Sequence, residues 1–229
     1  MCIRDSLWAA GSFSVVGLSI GDLPDFGSHC SGDRPNTGTE RTNGEEIFYM
    51  TESDMTVRLL ELREITPALF DSFERYQEVK RCWRKEEGRW LLKDIAFIEQ
   101  WDAQDYQKLC KELQEIIRQG GAVWGAFCKQ ELVGFAAVGR ACFGSARQYV
   151  QLAELYISLP YRGKGIGRKL FGKAAQSARQ FGAQKLYISA HSCEETQLFY
   201  KKMHCMEAEE YNAELVEKEP CDCQMEFRL

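Results

Sequence analysis

Residues 160–182 read PYRGKGIGRKLFGKAAQSARQFG, which joins a glycine-rich turn directly to a helical pattern. Glycines have no side chain, so several backbone amides of Arg162–Gly167 can approach one anion at the start of a helix. Four basic side chains lie at the same end of the helix: Arg162, Lys164, Arg168 and Lys169. The N-terminus of a helix by itself favours acidic side chains, so four bases there indicate that the turn binds an external anion. The stretch therefore predicts a diphosphate site, and a glycine turn with solvated bases is the alternative.

Two common phosphate-binding motifs do not fit this turn. A P-loop needs Gly-Lys followed by Ser or Thr to hold magnesium, whereas Gly165 follows Lys164. The dinucleotide fingerprint needs GxGxxG and an acid about twenty residues on, whereas this chain has GxGxG with Tyr187 and Ser189 in that region. A nucleoside triphosphatase and a Rossmann dehydrogenase are therefore disfavoured.

The segments before the turn predict alternating strands and helices. Val57–Leu62 is a strand pattern, and Thr66-Pro67 marks a helix start, so a first βα unit is expected. Trp101–Gly120 predicts a helix with Asp102 as its N-cap. An antiparallel hairpin and a further strand are expected at residues 122–128, 132–139 and 148–158.

After the turn, the same periodicities continue to the end of the sequence. They predict a helix ending near Gly182, a strand at 185–190, a helix at 194–203 and an alternating strand at 221–229. The last strand should bury Cys221 and Cys223 on its apolar face, because a thiol there behaves as a small hydrophobe.

The turn and its neighbours resemble the GNAT acetyltransferase family. RGKGIG, residues 162–167, fits the Arg/Gln-x-x-Gly-x-Gly/Ala motif that holds the pyrophosphate of acetyl-CoA in this family. The strands AELYIS and KLYISA and the helix with Phe199-Tyr200 follow in the family's order. The likeness extends over about Val57–Leu229 and is most specific from Gln151 to Met206. One departure is His204-Cys205, where the family usually has Gly-Phe; it concerns the turn after that helix and not the cofactor site.

The resemblance implies an α/β fold with a central mixed sheet of about six to seven strands, flanked by helices, whose fourth and fifth strands splay apart. In the family, the pantetheine arm pairs with the edge of the fourth strand, and one N–H there faces the thioester oxygen as it becomes an oxyanion. The implied cofactor-binding residues are Leu155, Tyr156, Ile157, Arg162, Gly163, Lys164, Gly165, Ile166, Gly167, Arg168 and Lys169.

Acetyl transfer also needs groups that move protons. An alkylamine has a pKa of about 10.4, so a base must deprotonate it. Glu154, three residues before Ile157, is the candidate, with a solvent-facing strand residue or ion-pair partner as the alternative; Gln151 occupies the other family position. The resemblance assigns protonation of the leaving thiolate to Tyr200, with a packed helix residue as the alternative.

Four residues before the second helix suggest an aromatic and acidic pocket for a cationic acceptor: Phe97, Glu99, Trp101 and Asp102. Helix capping explains Asp102 more simply. His191 and His204 flank the last helix and are expected to be surface or turn residues.

Composition limits the partners. With 34 acids, 29 bases and a net charge of -5, the chain is not expected to bind nucleic acid. Its ten cysteines are scattered without a CxxC pair, which favours reduced thiols in a cytoplasmic protein and no metal site.

Two parts of the chain are expected. Residues 1–54 are rich in Gly, Ser, Thr and Asn and predict a disordered extension, and residues 55–229 form the acetyltransferase domain. The apolar stretch Leu7–Ile20 is too short and interrupted for a membrane span. The opening MCIRDS resembles a translated sequencing-adapter remnant, in which case the natural start is expected at Met50 or Met55.

The sequence thus predicts an enzyme that transfers the acetyl group of acetyl-CoA, its co-substrate, directly to a primary amine of a small molecule. A protein or peptide amine is the second hypothesis for the acceptor. The rival from another class is a non-catalytic acyl-CoA-binding regulatory module. A monomer or homodimer is expected, with no membrane partner.

Overall fold

The computed structural model describes residues 55–229; the predicted extension of residues 1–54 lies outside them. The described chain forms one seven-stranded mixed sheet and one two-stranded sheet, with helices against them. This arrangement confirms the predicted fold class. No helix of this part of the chain has the length and apolar character needed to span a membrane.

The strands are β1 Met55–Leu59, β2 Tyr76–Glu86, β3 Arg89–Gln100, β4 Ala122–Cys128, β5 Glu131–Val138, β6 Tyr149–Ile157, β7 Lys185–Ala190, β8 Met206–Glu207 and β9 Cys223–Arg228. The α-helices are α1 Ala103–Arg118, α2 Ile166–Gln180, α3 Glu194–Lys202 and α4 Ala213–Lys218. The large sheet has the order β1-β4-β5-β6-β7-β9-β8, in which β6 and β7 are parallel and the other neighbours antiparallel. Strands β2 and β3 form the separate hairpin.

Helix α1 begins where the sequence predicts. The Asp102 carboxylate accepts hydrogen bonds from the N–H groups of Gln104 and Asp105 at 2.7 and 3.0 Å. The Asp105 carboxylate accepts one from the Asp102 N–H at 2.9 Å. This reciprocal capping box satisfies the first free amides of the helix, so the capping explanation of Asp102 is confirmed.

The prediction of a first βα unit is wrong for the helix. Thr66-Pro67 begins a 3-10 helix that ends at Phe70, and the Thr66 side chain makes no capping hydrogen bond. Ile65, Phe70 and Phe73 are buried in the same core cluster. These three side chains pack in the core although they are close together in the sequence. The chain therefore turns after Phe70 and does not continue as a helix.

The hairpin β2–β3 was not predicted from the sequence. Its strands join through Glu87 and Gly88, which both have positive φ, as a two-residue hairpin turn of type I′ requires. The Glu87-Gly88 pair lacks the Asn-Gly or Asp-Gly signature of such turns.

The C-terminal strand is present, but its expected half-buried character is wrong. Gln224 and Glu226 are buried, and each has a partner on another strand of the sheet: the Tyr187 hydroxyl of β7 donates to Gln224 at 2.7 Å and the Tyr149 hydroxyl of β6 donates to Glu226 at 2.5 Å. Cys223 is buried as expected, whereas Cys221 precedes the strand and is exposed.

The turn after α3 keeps a left-handed residue at the position where the family usually has glycine. His204 has φ +62°, and the N–H of Cys205 donates to the Tyr200 carbonyl at 3.0 Å. Left-handed residues commonly end helices in this way. Cys205 is buried at the position of the family's phenylalanine.

The parallel pairing of β6 and β7 ends early, and this creates the site. The two strands pair only from Tyr149 opposite Lys185 to Gln151 opposite Tyr187. From Leu152 onward, β6 remains paired with β5 on its other side. The fourth and fifth strands of the sheet therefore diverge, as the sequence resemblance implied.

Candidate active site

A cleft of about 700 Å³ lies where β6 and β7 diverge. Its walls come from β2, from the C-terminal end of β6, from the glycine-rich turn before α2 and from α3. Among the predicted site residues, those that line it are Leu155, Ile157, Arg162, Gly163, Gly165, Ile166, Gly167, Arg168 and Tyr200. Most of the predicted set thus meets in one place.

The turn before α2 presents its backbone to this cleft. Gly163 and Gly165 have φ of +77° and +80°, and a Cβ added to either would meet no atom within 4 Å. Gly165 is the N-cap and offers no side chain, and the first turn of α2 holds no acid. Helices α1, α3 and α4 each have an acid in the first turn. Among the described α-helices, α2 is therefore the one whose N-terminal amides have neither a side-chain cap nor an acid.

Gly167 has a different role in the turn. A Cβ at this position would lie 3.1 Å from the Phe199 ring of α3 and 3.9 Å from Ile157. Contacts near 3.1 Å are tighter than side chains normally tolerate, so glycine lets α2 and α3 approach each other closely here.

Arg162 lies at the inner end of the turn. Its Nε donates to the Ile157 carbonyl at 3.1 Å, and its Nη2 is buried without a hydrogen-bond partner. Burial, followed by the nearby Arg75 cation, lowers the pKa of Arg162 from its ordinary value. A buried cationic donor of this kind is stabilised by an anion.

The β6 residues divide between the two faces of the sheet. Leu155 and Ile157 face the cleft, while Tyr156 packs its ring against Trp101 and Phe135 on the opposite face, with centroids 4.7 and 5.5 Å away. Glu154 is half-buried, is not a cleft-lining residue, and shares the face of Tyr156 by strand alternation.

Two predicted lysines do not line the cleft. The Lys164 ammonium lies 5.1 Å from the centre of the Tyr161 ring, and Lys169 is exposed on α2. Tyr200, by contrast, lines the cleft and is only 1% exposed.

Sequence reasoning missed several lining residues: Tyr76, Gln77, Glu78, Leu159, Tyr161, Glu195, Thr196, Phe199, Lys202 and Met203. Thr196 and Met203 lie four residues before and three residues after Tyr200, at helical spacing, so the position of Tyr200 is a signal for these two. Those on β2 had no comparable signal because the hairpin itself was not predicted.

The expected acidic pocket for a cation is not formed by its proposed residues. Glu99 accepts a hydrogen bond from Arg75 at 2.8 Å, and both side chains are nearly fully buried. Asp102 caps α1, and Trp101 packs its ring on Tyr106 and Tyr156. The two carboxylates are therefore engaged in the fold.

His191 is buried rather than on the surface, contrary to expectation, whereas His204 is exposed in a turn as expected. The His191 Nδ1 accepts from the Cys193 N–H at 3.2 Å, and its Nε2 lies 3.6 Å from Glu99. Burial, helped by the cations of Arg75 and Arg84, lowers the pKa of His191 far below its ordinary value.

Comparisons with known proteins agree with this geometry. A family model described as Acetyltransferase (GNAT) family matches residues 66–204. No curated protein sequence matches the chain. A structure of nourseothricin acetyltransferase aligns with a TM-score of 0.56 at 13% identity, covering 76% of this chain and 98% of that one. A Bacillus anthracis str. Ames protein named as a streptothricin acetyltransferase, in complex with acetyl coenzyme A, aligns with a TM-score of 0.59 at 14% identity and the same coverage.

The buried neutral His191 predicts acid sensitivity of the fold. Unfolded histidine binds a proton below about pH 6.5 and buried His191 does not, so the unfolded state gains stability as the pH falls. Between pH 7 and pH 5, the free energy of unfolding should fall by about 2 kcal/mol relative to that of His191→Asn. Urea unfolding at several pH values measures this difference.

The matched control is His204→Asn, since asparagine tolerates the left-handed conformation of this exposed residue. Its pH profile should run parallel to that of the unmodified protein. A His191→Asn profile that is also parallel would mean that His191 takes up a proton in the folded state as readily as in the unfolded state.

Proposed function

Because the chain belongs to the GNAT acetyltransferase family, we propose that this cleft positions acetyl-CoA for direct transfer of its acetyl group to a primary amine of a small molecule. The family match and the acetyl-CoA complex of a protein with the same fold make the chain an acetyl-CoA-dependent acetyltransferase. The acceptor and the residue roles below belong to the proposal.

The observation that carries the proposal is the turn from Arg162 to Gly167 at the mouth of the cleft. Open space beside Gly163 and Gly165 leaves the amides at the start of α2 accessible, and the buried Nη2 of Arg162 offers a donor beside them. Backbone amides at a helix N-terminus together with arginine suit a diphosphate. Arg162, Gly163, Gly165, Ile166, Gly167 and Arg168 would hold it, with Lys164 and Lys169 adding positive charge nearby.

Strand β6 would hold the pantetheine arm. Beyond Gln151, its edge facing β7 is without a strand partner among the residues that the structure describes. A ligand with amide groups can add to such an edge as a strand does. The backbone of Leu155, Tyr156 and Ile157 would supply these contacts, and an N–H of this segment would stabilise the developing oxyanion. The bound thioester supplies an activated acetyl group.

Two side chains would handle the protons from opposite faces of the sheet. Tyr200 lies in the cleft, where its phenol can protonate the leaving thiolate. Glu154 lies on the other face of β6, outside the residues that line the cleft. It is kept as the base because it is the carboxylate on the strand that would hold the pantetheine arm.

The position of the hairpin β2–β3 favours a small molecule, rather than a folded protein, as the acceptor. The Ser158 hydroxyl accepts from the Glu74 N–H at 2.9 Å just before β2, and the Trp83 N–H donates to the Ser192 carbonyl at 2.8 Å. The hairpin thus crosses the C-terminal ends of both diverging strands and limits the room for a bulky substrate. A cytoplasmic location, the absence of a metal and a monomeric or dimeric state stay predictions of the sequence.

The acceptor is identified by a panel assay. The purified chain with acetyl-CoA should release CoA thiol with at least one small amine among polyamines, aminoglycosides, amino acids, nourseothricin and streptothricin. Peptides carrying a lysine or a free N-terminus form the second arm. Turnover with peptides alone would favour the protein-amine alternative, and no turnover with any amine would favour a non-catalytic acyl-CoA-binding module.

Gly165→Glu should abolish cofactor binding. The new carboxylate would face the diphosphate, and like charges about 4 Å apart near a protein surface repel by several kcal/mol. The Kd for acetyl-CoA, measured by calorimetry, should rise on the order of 100-fold or more.

Gly88→Glu is the matched control, because Gly88 has φ +79° and equally open surroundings at the tip of the hairpin. Both variants carry similar backbone strain, so a loss of affinity confined to Gly165→Glu isolates the electrostatic effect. Normal affinity in Gly165→Glu would refute the assignment of the turn.

Tyr200→Phe and Glu154→Gln should impair chemistry without weakening cofactor binding. With the amine found by the panel, each should lower kcat by about 100-fold. The Glu154→Gln rate should recover toward pH 10, where the amine deprotonates without help. Tyr76→Phe, in the same cleft, serves as the control. Unchanged kcat in either test variant would remove that residue from the mechanism.

A further inference from the structure

Strand β2 contributes three residues to the lining of the cleft, Tyr76, Gln77 and Glu78, of which Gln77 is the buried one. Gln77 lines the cleft together with Leu155, Thr196 and Tyr200. It lies between the two points at which the hairpin is fastened, Glu74 at Ser158 and Trp83 at Ser192. Gln77 therefore lies across the gap from the edge of β6 that β7 leaves beyond Gln151.

Hydrogen bonds fix the orientation of the Gln77 amide. Its Nε2 donates to the Cys193 Sγ at 3.2 Å, and that thiol donates to the Thr196 hydroxyl at 3.0 Å. Since the Cys193 proton is directed to Thr196, the sulfur is an acceptor toward Gln77, which places the amide nitrogen on the Cys193 side. The amide oxygen then points away from Cys193.

Gln77 is only 6% exposed, and its Oε1 is buried without a hydrogen-bond partner. An unsatisfied buried acceptor costs about 1–3 kcal/mol, and nearly all such groups in folded proteins are paired. A buried carbonyl in the wall of a ligand cleft is thus expected to meet an N–H donor of the ligand.

We propose that the Gln77 Oε1 accepts a hydrogen bond from an amide N–H of the pantetheine arm, holding the arm from the side opposite to β6. This inference rests on the proposed function, because it takes the cleft to bind a coenzyme A thioester. The glycine turn, Gln77 and Tyr200 line the same cleft, so a ligand that extends from the turn to Tyr200 shares this space with the Gln77 carbonyl. The N–H groups that such an arm carries are its amides.

The test compares CoA with adenosine 3′-phosphate 5′-diphosphate, which has the diphosphate but no arm. In calorimetry with the full chain, Gln77→Leu should raise the Kd for CoA roughly 3- to 10-fold, the effect of one lost neutral hydrogen bond. The Kd for the armless nucleotide should stay within about twofold of its original value. Gln100→Leu, an exposed glutamine on the partner strand of the hairpin, should leave both values unchanged.

Two further variants separate ligand contact from structural support. Gln77→Met keeps an unbranched side chain of similar length and should reproduce the selective loss if Gln77→Leu disturbs folding. Cys193→Ala removes the partner of the Gln77 nitrogen but keeps the carbonyl, so its CoA affinity should fall by less than that of Gln77→Leu.

Equal losses for both ligands, or no loss for CoA, would overturn the inference while leaving the proposed function in place. If the unmodified chain bound neither ligand, the cofactor cleft itself would be refuted. The comparison of the two ligands in the unmodified chain therefore distinguishes the two failures.

Discussion

The early end of the hydrogen-bond ladder between β6 and β7 is the constraint on which the site depends. A parallel pair that continued beyond Gln151 and Tyr187 would fill the space of the cleft with paired backbone. Because β6 stays paired with β5 through Ile157, its other edge is held rigidly in place while it faces open space. An edge that has no strand partner among the described residues and is fixed by its other neighbour suits an extended ligand, which would then bind without ordering the protein first.

The hairpin β2–β3 defines the other side of the gap. It is fastened beside the ends of both diverging strands, so the width of the gap is set by the fold. Behind it, Arg75, Glu99 and His191 form a buried polar group in which the charges of arginine and glutamate compensate each other. The carboxylates that the sequence offered as a cation pocket are thereby used to hold the hairpin and α1 in position.

Sequence reasoning succeeded where a residue's role is local. The RGKGIG turn, the Asp102 cap and the strand periodicity around β4–β6 and β7 depend on neighbours a few residues away, and the structure has each of these elements. It failed where tertiary contacts decide. Thr66-Pro67 has a good helix start signal, yet the core contacts of Phe70 and Phe73 end the helix after one turn. Gln224 and Glu226 alternate with apolar residues as surface residues do, yet both are buried, with hydrogen-bond partners on β7 and β6. Gln77 had no signal at all, because its role depends on a hairpin whose turn, Glu87-Gly88, has an unusual sequence.

The close contact between Gly167 and Phe199 has a consequence for the choice of acyl carrier. It joins the helix that begins at the glycine turn to the helix that bears Tyr200, so the packing of the two helices sets the distance from the turn to Tyr200. Under the roles proposed for the turn and for Tyr200, a carrier with a shorter or longer chain than phosphopantetheine would present its sulfur before or beyond the phenol. Selection for carrier length would then follow from this helix contact, independently of any contact with the acyl group.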